Sequence, residues 1–260
     1  MKTLILIPAR MASLRFPNKP MALICGKPMI QRVWEQAMAS DLGEVIVACS
    51  EKEVLECIMS LGGKAILTDP DLPSGTDRIF KAIKNKDNIN EFDSIINLQG
   101  DMPIIDPHDI VKVNTPLLQG FDIGTLVTEL KDNQKNDSNV TKVKINLIKK
   151  NTIWQAFDFY KSLKVTYEEA YHHVGIYSFR YETLKKFISL TPSINESNQK
   201  LEQWRALDAK MTIGVTYVKN VPISVDTKED LIIVENIIKS ELWVELILFH
   251  FRGLMEHTAN

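Results

Sequence analysis

The sequence predicts an α/β chain whose mostly parallel sheet is covered by helices on both faces. Two observations carry this. Short apolar runs alternate with helix-period segments through the first half of the chain. The chain has 260 residues, 45% of them hydrophobic, enough for one large domain, or for one domain with an excursion.

The elements follow in order. Residues 4–7 read as a first strand, 28–39 as a helix with Pro28 near its start, and 45–48 as a second strand. A helix over 51–61 ends at Gly62-Gly63, and 65–67 forms a short third strand. Ser74 is placed to cap a helix over 75–84. A fourth strand over 94–98 precedes a helix over 106–118, capped by Asp106 with Pro107 at its first position. The second half changes character. Longer strands are expected over 141–148 and 153–159 around a turn at Lys149-Lys150-Asn151, and another over 172–179. Helices over 181–190 and 199–209, a strand over 212–218 and an amphipathic helix over 228–238 complete the pattern. Residues 1–240 are expected to form a single domain, with about 130–180 as an excursion from the main sheet and 241–260 as a C-terminal extension. Residues 242–251 are apolar apart from Glu245 and His250. They extend the last helix or cover a second copy.

The bulk numbers exclude several functions. A formal net charge of -2 argues against a general nucleic-acid binder. The three cysteines, Cys25, Cys49 and Cys57, lack metal-type spacing and suit a reduced cytoplasmic protein. The N-terminal run lacks the pattern of a signal peptide, and no apolar stretch reaches the ~20 residues of a membrane span.

The chemistry starts in the first loop. The run from Leu4 to Ile7 stops at Pro8, and Arg10, Arg15 and Lys19 follow in a stretch too rich in proline for a helix. A strand therefore feeds positive charge to the carboxyl end of the sheet, where open α/β folds bind ligands. No glycine lies between Met1 and Gly26, so guanidinium and ammonium groups must do much of the binding of a polyanion, most simply a nucleoside triphosphate. Asp101, at the end of Asn97-Leu-Gln-Gly-Asp101, reads either as a Mg²⁺ ligand beside that triphosphate or as a turn cap. Asp226, in Val225-Asp-Thr-Lys-Glu-Asp-Leu231, reads either as a second ligand or as an ordinary N-cap. Ser74-Gly-Thr-Asp-Arg78 opens a helix and combines capping with polar ligand groups. Of the adjacent His172 and His173, at most one can enter a given site from a strand.

Together these segments resemble the CMP-Kdo synthetase (3-deoxy-manno-octulosonate cytidylyltransferase) family. The resemblance rests on Ile7-Pro-Ala-Arg-Met-Ala-Ser-Leu-Arg-Phe-Pro-Asn-Lys-Pro20, Ser74–Arg78, Asn97–Asp101, His173-Val-Gly-Ile-Tyr177, Leu201-Glu-Gln-Trp-Arg205 and Val225–Leu231, in that order, over about residues 1–238. It implies a Rossmann-like nucleotidyltransferase fold, with a smaller β-rich excursion for dimerisation and sugar binding. It also implies a cytoplasmic homodimer that uses CTP and Mg²⁺ to activate Kdo for lipopolysaccharide synthesis. By position it puts Arg10 and Lys19 on the triphosphate, and Pro8, Ala9, Ser74, Gly75, Thr76 and Gln99 in the nucleotide pocket. Asp101 and Asp226 would hold Mg²⁺, and Arg10, Lys19, Asp101 and Asp226 would be catalytic. Arg78, His173, Tyr177, Glu202 and Gln203 would face the sugar acid. The chain departs from the family pattern around Phe159-Tyr-Lys-Ser-Leu-Lys-Val165, where Lys161 stands for an expected arginine, and at Met102 and Trp204. An 8-amino analogue of Kdo, another ulosonic acid, or a non-catalytic nucleotide-binding role are the alternatives.

Overall fold

The computed structural model describes residues 1–13, 15–147, 154–161 and 170–240. The expected turn at 149–151, most of the segment after Lys161, and the extension at 241–260 lie outside the described residues.

Strand β1 (Thr3–Ala9) is buried along its whole length. A small hairpin, β2 (Leu23–Ile24) with β3 (Lys27–Pro28), leads into helix α1 (Met29–Ala39). Then come β4 (Gly43–Cys49), α2 (Lys52–Ser60), β5 (Lys64–Leu67), α3 (Gly75–Ile83) and β6 (Ser94–Asn97). These are the elements expected from the first half, and β1 pairs in parallel with both β4 and β6. Alternate residues of β1 serve opposite faces. Leu4 and Leu6 pack with Ile79 and Ile83 of α3, while Ile5 and Ile7 pack with Val33 of α1 and Val54 and Ile58 of α2. Helices therefore cover both faces, as expected.

The helix expected over 106–118 is two short ones, α4 (Pro107–Lys112) and α5 (Thr115–Leu118). Pro116 lies at the start of the second and has no N–H to continue the first. Strand β7 (Ile123–Glu129) was not foreseen, although only its last residue is exposed. The second half continues with β8 (Lys142–Leu147), β9 (Trp154–Tyr160), β10 (Tyr171–Phe179) and α6 (Tyr181–Ser189). The helix expected over 199–209 is broken. A capping box of Ser193 and Glu196 starts α7 (Ile194–Gln199), and Lys200, in the left-handed region at φ 54°, ends it before α8 (Gln203–Asp208). Strand β11 (Ile213–Tyr217) follows, and residues 228–240 form helix α9.

All strands but the hairpin join one nine-stranded sheet in the order β5-β4-β1-β6-β10-β7-β11-β9-β8. The α/β class holds, and the sheet is mixed: parallel from β5 to β6, and antiparallel wherever β10, β8 or β9 pairs with a neighbour. The stretch expected as an excursion over 130–180 is not separate from this sheet. Its last strand, β10, inserts between β6 and β7, because its apolar residues Val174, Ile176 and Phe179 bury into both main cores. β8 also returns to pair with β10 at Val143–Tyr171 and Lys142–His172, so β10, β7, β11, β9 and β8 form a closed ring of ladders.

A third apolar cluster joins the first loop to the last described helix. Phe16 from the first loop packs with Ile24 and Met29, and with Val225, Val234 and Ile238 of the α9 region. Each such burial stabilises by about 1.5–3 kcal/mol. It holds the neighbours of Phe16 and Val225, namely Arg15 and Asp226, at one place.

Candidate active site

The carboxyl ends of β1 and β6 open into a cavity of about 910 Å³. Pro8, Ala9, Arg10, Arg15 and Lys19 come to it from the first loop, Ser74, Gly75 and Arg78 from the start of α3, and Gln99 and Asp101 from the end of β6. A second cavity, of about 810 Å³, lies beside it. It is walled by His172, His173 and Tyr177 of β10, by Lys200 to Gln203, and by the segment before α9, so both adjacent histidines reach one cavity, against the expectation from strand alternation. Arg15, Gln99, Asp101 and Asp226 line both cavities. The site is therefore two chambers with one shared wall.

The backbone explains the wall. Gly100 lets the end of β6 pass close to β1: a Cβ there would lie 2.6 Å from the Pro8 carbonyl oxygen. The Val225 N–H donates to the Asp101 carbonyl at 2.8 Å, which draws Asp226 beside Asp101. Asp226 does not cap the helix after it. Thr227 and Asp230 do so reciprocally, with Thr227 N–H to Asp230 Oδ2 at 2.8 Å and Asp230 N–H to Thr227 Oγ1 at 3.2 Å. The carboxylates of both Asp101 and Asp226 are thus left for the cavity. Lys19 Nζ stands between them, 2.9 Å from Asp101 Oδ2 and 3.1 Å from Asp226 Oδ1. Burial alone pulls its ammonium pKa down, but the two carboxylates outweigh this and raise it above its ordinary value. Arg15 Nη2 takes the other oxygen of Asp226 at 3.0 Å. The sequence suggested no partner for Arg15, which lies far from Asp226 along the chain.

The start of α3 divides its duties. Ser74 is the N-cap, accepting from Asp77 N–H at 3.1 Å and donating to Asp77 Oδ2 at 2.7 Å. Its hydroxyl is committed, and the amides of Gly75 and Thr76 are the ones without intrahelical partners. Thr76 itself does not line the first cavity, although it was expected in the nucleotide pocket. Its side chain is buried behind the first turn, where its hydroxyl donates to Glu202 Oε2 at 2.8 Å and accepts from Asn97 Nδ2 at 3.2 Å. Arg78 is also corrected. It lines the first cavity, not the second, where it was expected to face a sugar acid, and its guanidinium is spent on Thr68 Oγ1 at 2.6 Å and the carbonyls of Asp69 and Pro70 at 3.0 and 3.2 Å. It braces the loop before α3. Arg10 is exposed on the first cavity and makes no ion pair with a described residue.

The second cavity owes its polar lining to the reversed direction of β10. Tyr177 lies opposite Asn97 in the antiparallel ladder, so running β6 forward to Gln99 and Asp101 runs β10 back to Gly175 and His173. A register shift between Val174 and Tyr177 is bridged by Thr125, whose hydroxyl lies 2.8 Å from the Ile176 carbonyl and 3.0 Å from His173 Nε2. Burial pushes the His173 pKa down to about 3, and burial with the nearby Lys142 ammonium pushes His172 to about 4. Both imidazoles are neutral near pH 7. The Tyr177 phenol, pushed up by burial, accepts from Gln203 Nε2. Glu202 Oε1, Gln203 Oε1 and His172 Nδ1 are buried without a partner among the described residues. Orphaned buried polar atoms of this kind call for a ligand or water, and hydroxyl groups would satisfy them. Lys161 lines neither cavity; its carbonyl accepts from the buried Lys142 ammonium at 2.7 Å.

Glu196 and Arg205 hold Glu202 and Gln203 in place. Their ion pair has Arg205 Nε at 2.8 Å from Glu196 Oε2, and the Arg205 guanidinium also packs 5.0 Å from the Phe187 ring centroid. Trp204 Nε1 donates to the Phe159 carbonyl at 2.8 Å, fastening α8 to β9.

This architecture recurs in known proteins. A cytidylyltransferase family profile matches residues 4–213. The 3-deoxy-manno-octulosonate cytidylyltransferase of Paramagnetospirillum magneticum is 42% identical over 231 residues, 88% of this chain and 94% of that protein. The protein of the same name from Brucella anthropi is 44% identical over 235 residues, covering 89% and 94%. Among solved structures, CMP:2-keto-3-deoxy-manno-octonic acid synthetase complexed with CTP superposes with a TM-score of 0.84 at 32% identity, over 93% of this chain and all of that one. A UDP-glucose pyrophosphorylase, at 14% identity and a TM-score of 0.66, shares the fold. By the profile match and by identity over nearly its whole length, the chain belongs to the 3-deoxy-manno-octulosonate cytidylyltransferase family.

Proposed function

We propose that this chain transfers CMP from CTP to the anomeric hydroxyl of 3-deoxy-manno-octulosonate, releasing pyrophosphate. The observation that carries this is the pair of cavities sharing Asp101 and Asp226, one lined by first-loop cations and the other by unpartnered acceptors. CTP lies in the first cavity with its phosphates toward Arg10, Arg15 and Lys19. The sugar lies in the second, with its hydroxyls donating to Glu202, Gln203 and His172. The sugar oxygen forms the new bond to the α-phosphorus, the bond to the bridging oxygen of the β-phosphate breaks, pyrophosphate leaves with those electrons, and the hydroxyl proton passes to water. In such transfers positioning and charge neutralisation do most of the work.

Asp101 and Asp226 fit Mg²⁺: both supply oxygen, both reach one shared cation position, and Mg²⁺ typically takes one or two carboxylates with phosphate oxygens and water. Bound there, the ion would neutralise phosphate charge and acidify the sugar hydroxyl. The sugar carboxylate belongs to the cations of the second cavity, which among the described residues are Arg15 and Lys200. We read the enzyme as a cytoplasmic homodimer serving lipopolysaccharide synthesis. Its family and its three free thiols support that setting, and the exposed Phe157 and Tyr217 on β9 and β11 offer a surface for the second copy. No described helix is long and apolar enough to cross a membrane.

Pyrophosphate release from CTP, Mg²⁺ and Kdo tests the reaction, with 8-amino-Kdo and other ulosonic acids, and with UTP and GTP, as the comparison. Release with CTP and Kdo is expected. Silence across all the sugars, with CTP still bound, would favour a non-catalytic nucleotide-binding protein.

A further inference from the structure

The two carboxylates on the shared wall are already neutralised by the protein. Lys19 Nζ bonds to Asp101 Oδ2 and Asp226 Oδ1, and Arg15 Nη2 takes Asp226 Oδ2. Both oxygens of Asp226 are therefore occupied, and two negative charges face two positive ones. The Lys19 side chain is 15% exposed and that of Asp101 25%, so solvent screens this pair less than an ordinary surface ion pair. A divalent cation approaching the nucleotide-free protein meets a locally neutral site whose ammonium occupies the position it would take.

We propose that Lys19, assisted by Arg15, is a built-in counter-ion that keeps divalent cations off Asp101 and Asp226 until a nucleoside triphosphate arrives. Both cations also line the cavity that takes the phosphates. A triphosphate gives Lys19 and Arg15 a stronger anionic partner, and their transfer to it uncovers the carboxylates. Metal affinity is then created by the nucleotide. Linkage makes the effect reciprocal, so the metal tightens nucleotide binding by the same factor. An enzyme built this way does not hold a bare metal ion against water, and it takes metal and nucleotide up together. The proposal rests on Asp101 and Asp226 being the metal ligands.

The test is Mn²⁺ binding to the full-length, nucleotide-free protein, followed by the electron paramagnetic resonance signal of free Mn²⁺. Wild type is expected to bind weakly, and Lys19→Met at least roughly tenfold more tightly, about the fold-change that 1.4 kcal/mol of released competition provides. Losing a positive charge would thus strengthen cation binding while weakening CTP binding by calorimetry. Arg15→Gln should move Mn²⁺ affinity in the same direction by less, because its side chain is 59% exposed, and it serves if Lys19→Met fails to fold. Wild type binding Mn²⁺ as tightly as both variants would overturn the counter-ion role. The double variant Lys19→Met/Asp101→Asn separates the two ideas. A return to weak binding supports the proposal, whereas tight binding in the double variant would remove Asp101 from the metal site and so overturn the reading beneath it.

Discussion

The two chambers of the site are built by opposite means. The nucleotide side is the end of parallel strands, where loops deliver charge, and apart from Arg10 its first-loop cations are paired with carboxylates before any ligand arrives: Lys19 with Asp101 and Asp226, Arg15 with Asp226. The sugar side is cut into an antiparallel insertion, and its groups wait unsatisfied: Glu202 Oε1, Gln203 Oε1 and His172 Nδ1. Ligand exchange on the first side trades one ion pair for another. On the second it makes hydrogen bonds that nothing in the described protein makes for itself. The first arrangement suits a highly charged ligand, and the second suits a ligand identified by its pattern of hydroxyls.

That contrast can be broken most severely at the shared wall. Asp101→Asn should lower kcat by about 10²–10³ or more, measured by pyrophosphate release. The melting temperature should hold, since the carboxylate's partner is Lys19 and not the backbone of a turn. Near-normal turnover would remove Asp101 from the chemistry. The next effect belongs to the sugar side alone. Glu202→Ala should raise the KM for the sugar acid roughly 10- to 100-fold, the cost of a lost charged hydrogen bond, and leave the KM for CTP unchanged. A parallel rise in both constants would show that the chambers are not separable.

The buried histidines sharpen the comparison through pH, since they belong to the sugar side. His173 has a folded-state pKa of about 3 against an ordinary 6.5. The unfolded chain therefore binds the proton first as pH falls. The stability this contributes is complete above about pH 6.5 and is lost on descending toward pH 3, at up to about 1.4 kcal/mol for each pH unit. Urea titrations between pH 7 and pH 5 should show that slope, and His173→Gln should reduce it to the share of His172, whose pKa is pushed down to about 4. An equal slope in the variant would assign the loss to other groups. The smallest effect is expected at Lys200. Lys200→Met should raise the KM for the sugar acid roughly fivefold, as an exposed ion pair is worth, with Lys200→Arg close to wild type. An unchanged KM would leave the sugar carboxylate to Arg15.

The nucleotide half was legible in the sequence because its parts are local. A strand ending at Pro8, three cations within ten residues, and a glycine before Asp101 each state a backbone geometry without reference to the rest of the chain. The sugar half was legible only as a list of residues. Strand β7 is buried on both faces and carries Gly124 and Thr125 at its start, so it shows neither the alternation of a half-buried strand nor an uninterrupted apolar run. Missing β7 hid the register that puts Thr125 against His173. Arg78 and Thr76 misled for a related reason. A motif at the start of a helix says which residues are near a ligand, and it does not say which side chains turn inward to hold the loop or to meet Glu202. Asp226 had two readings in sequence, and Thr227 with Asp230 removed one of them by doing the capping instead.

The return of β8 to β10 has a consequence for how the molecule behaves among its copies. A sheet of nine strands would ordinarily present two open edges, each a template for pairing with another chain. Here one flank folds back at its start, where Lys142 and Val143 of β8 pair with β10 as well as with β9. The flank that stays open is β5, four residues long, opening with Lys64 and with its next two residues only half-buried. A short strand headed by a lysine is a poor template for a neighbouring chain, so both flanks of the large mixed sheet leave little edge for another copy to extend.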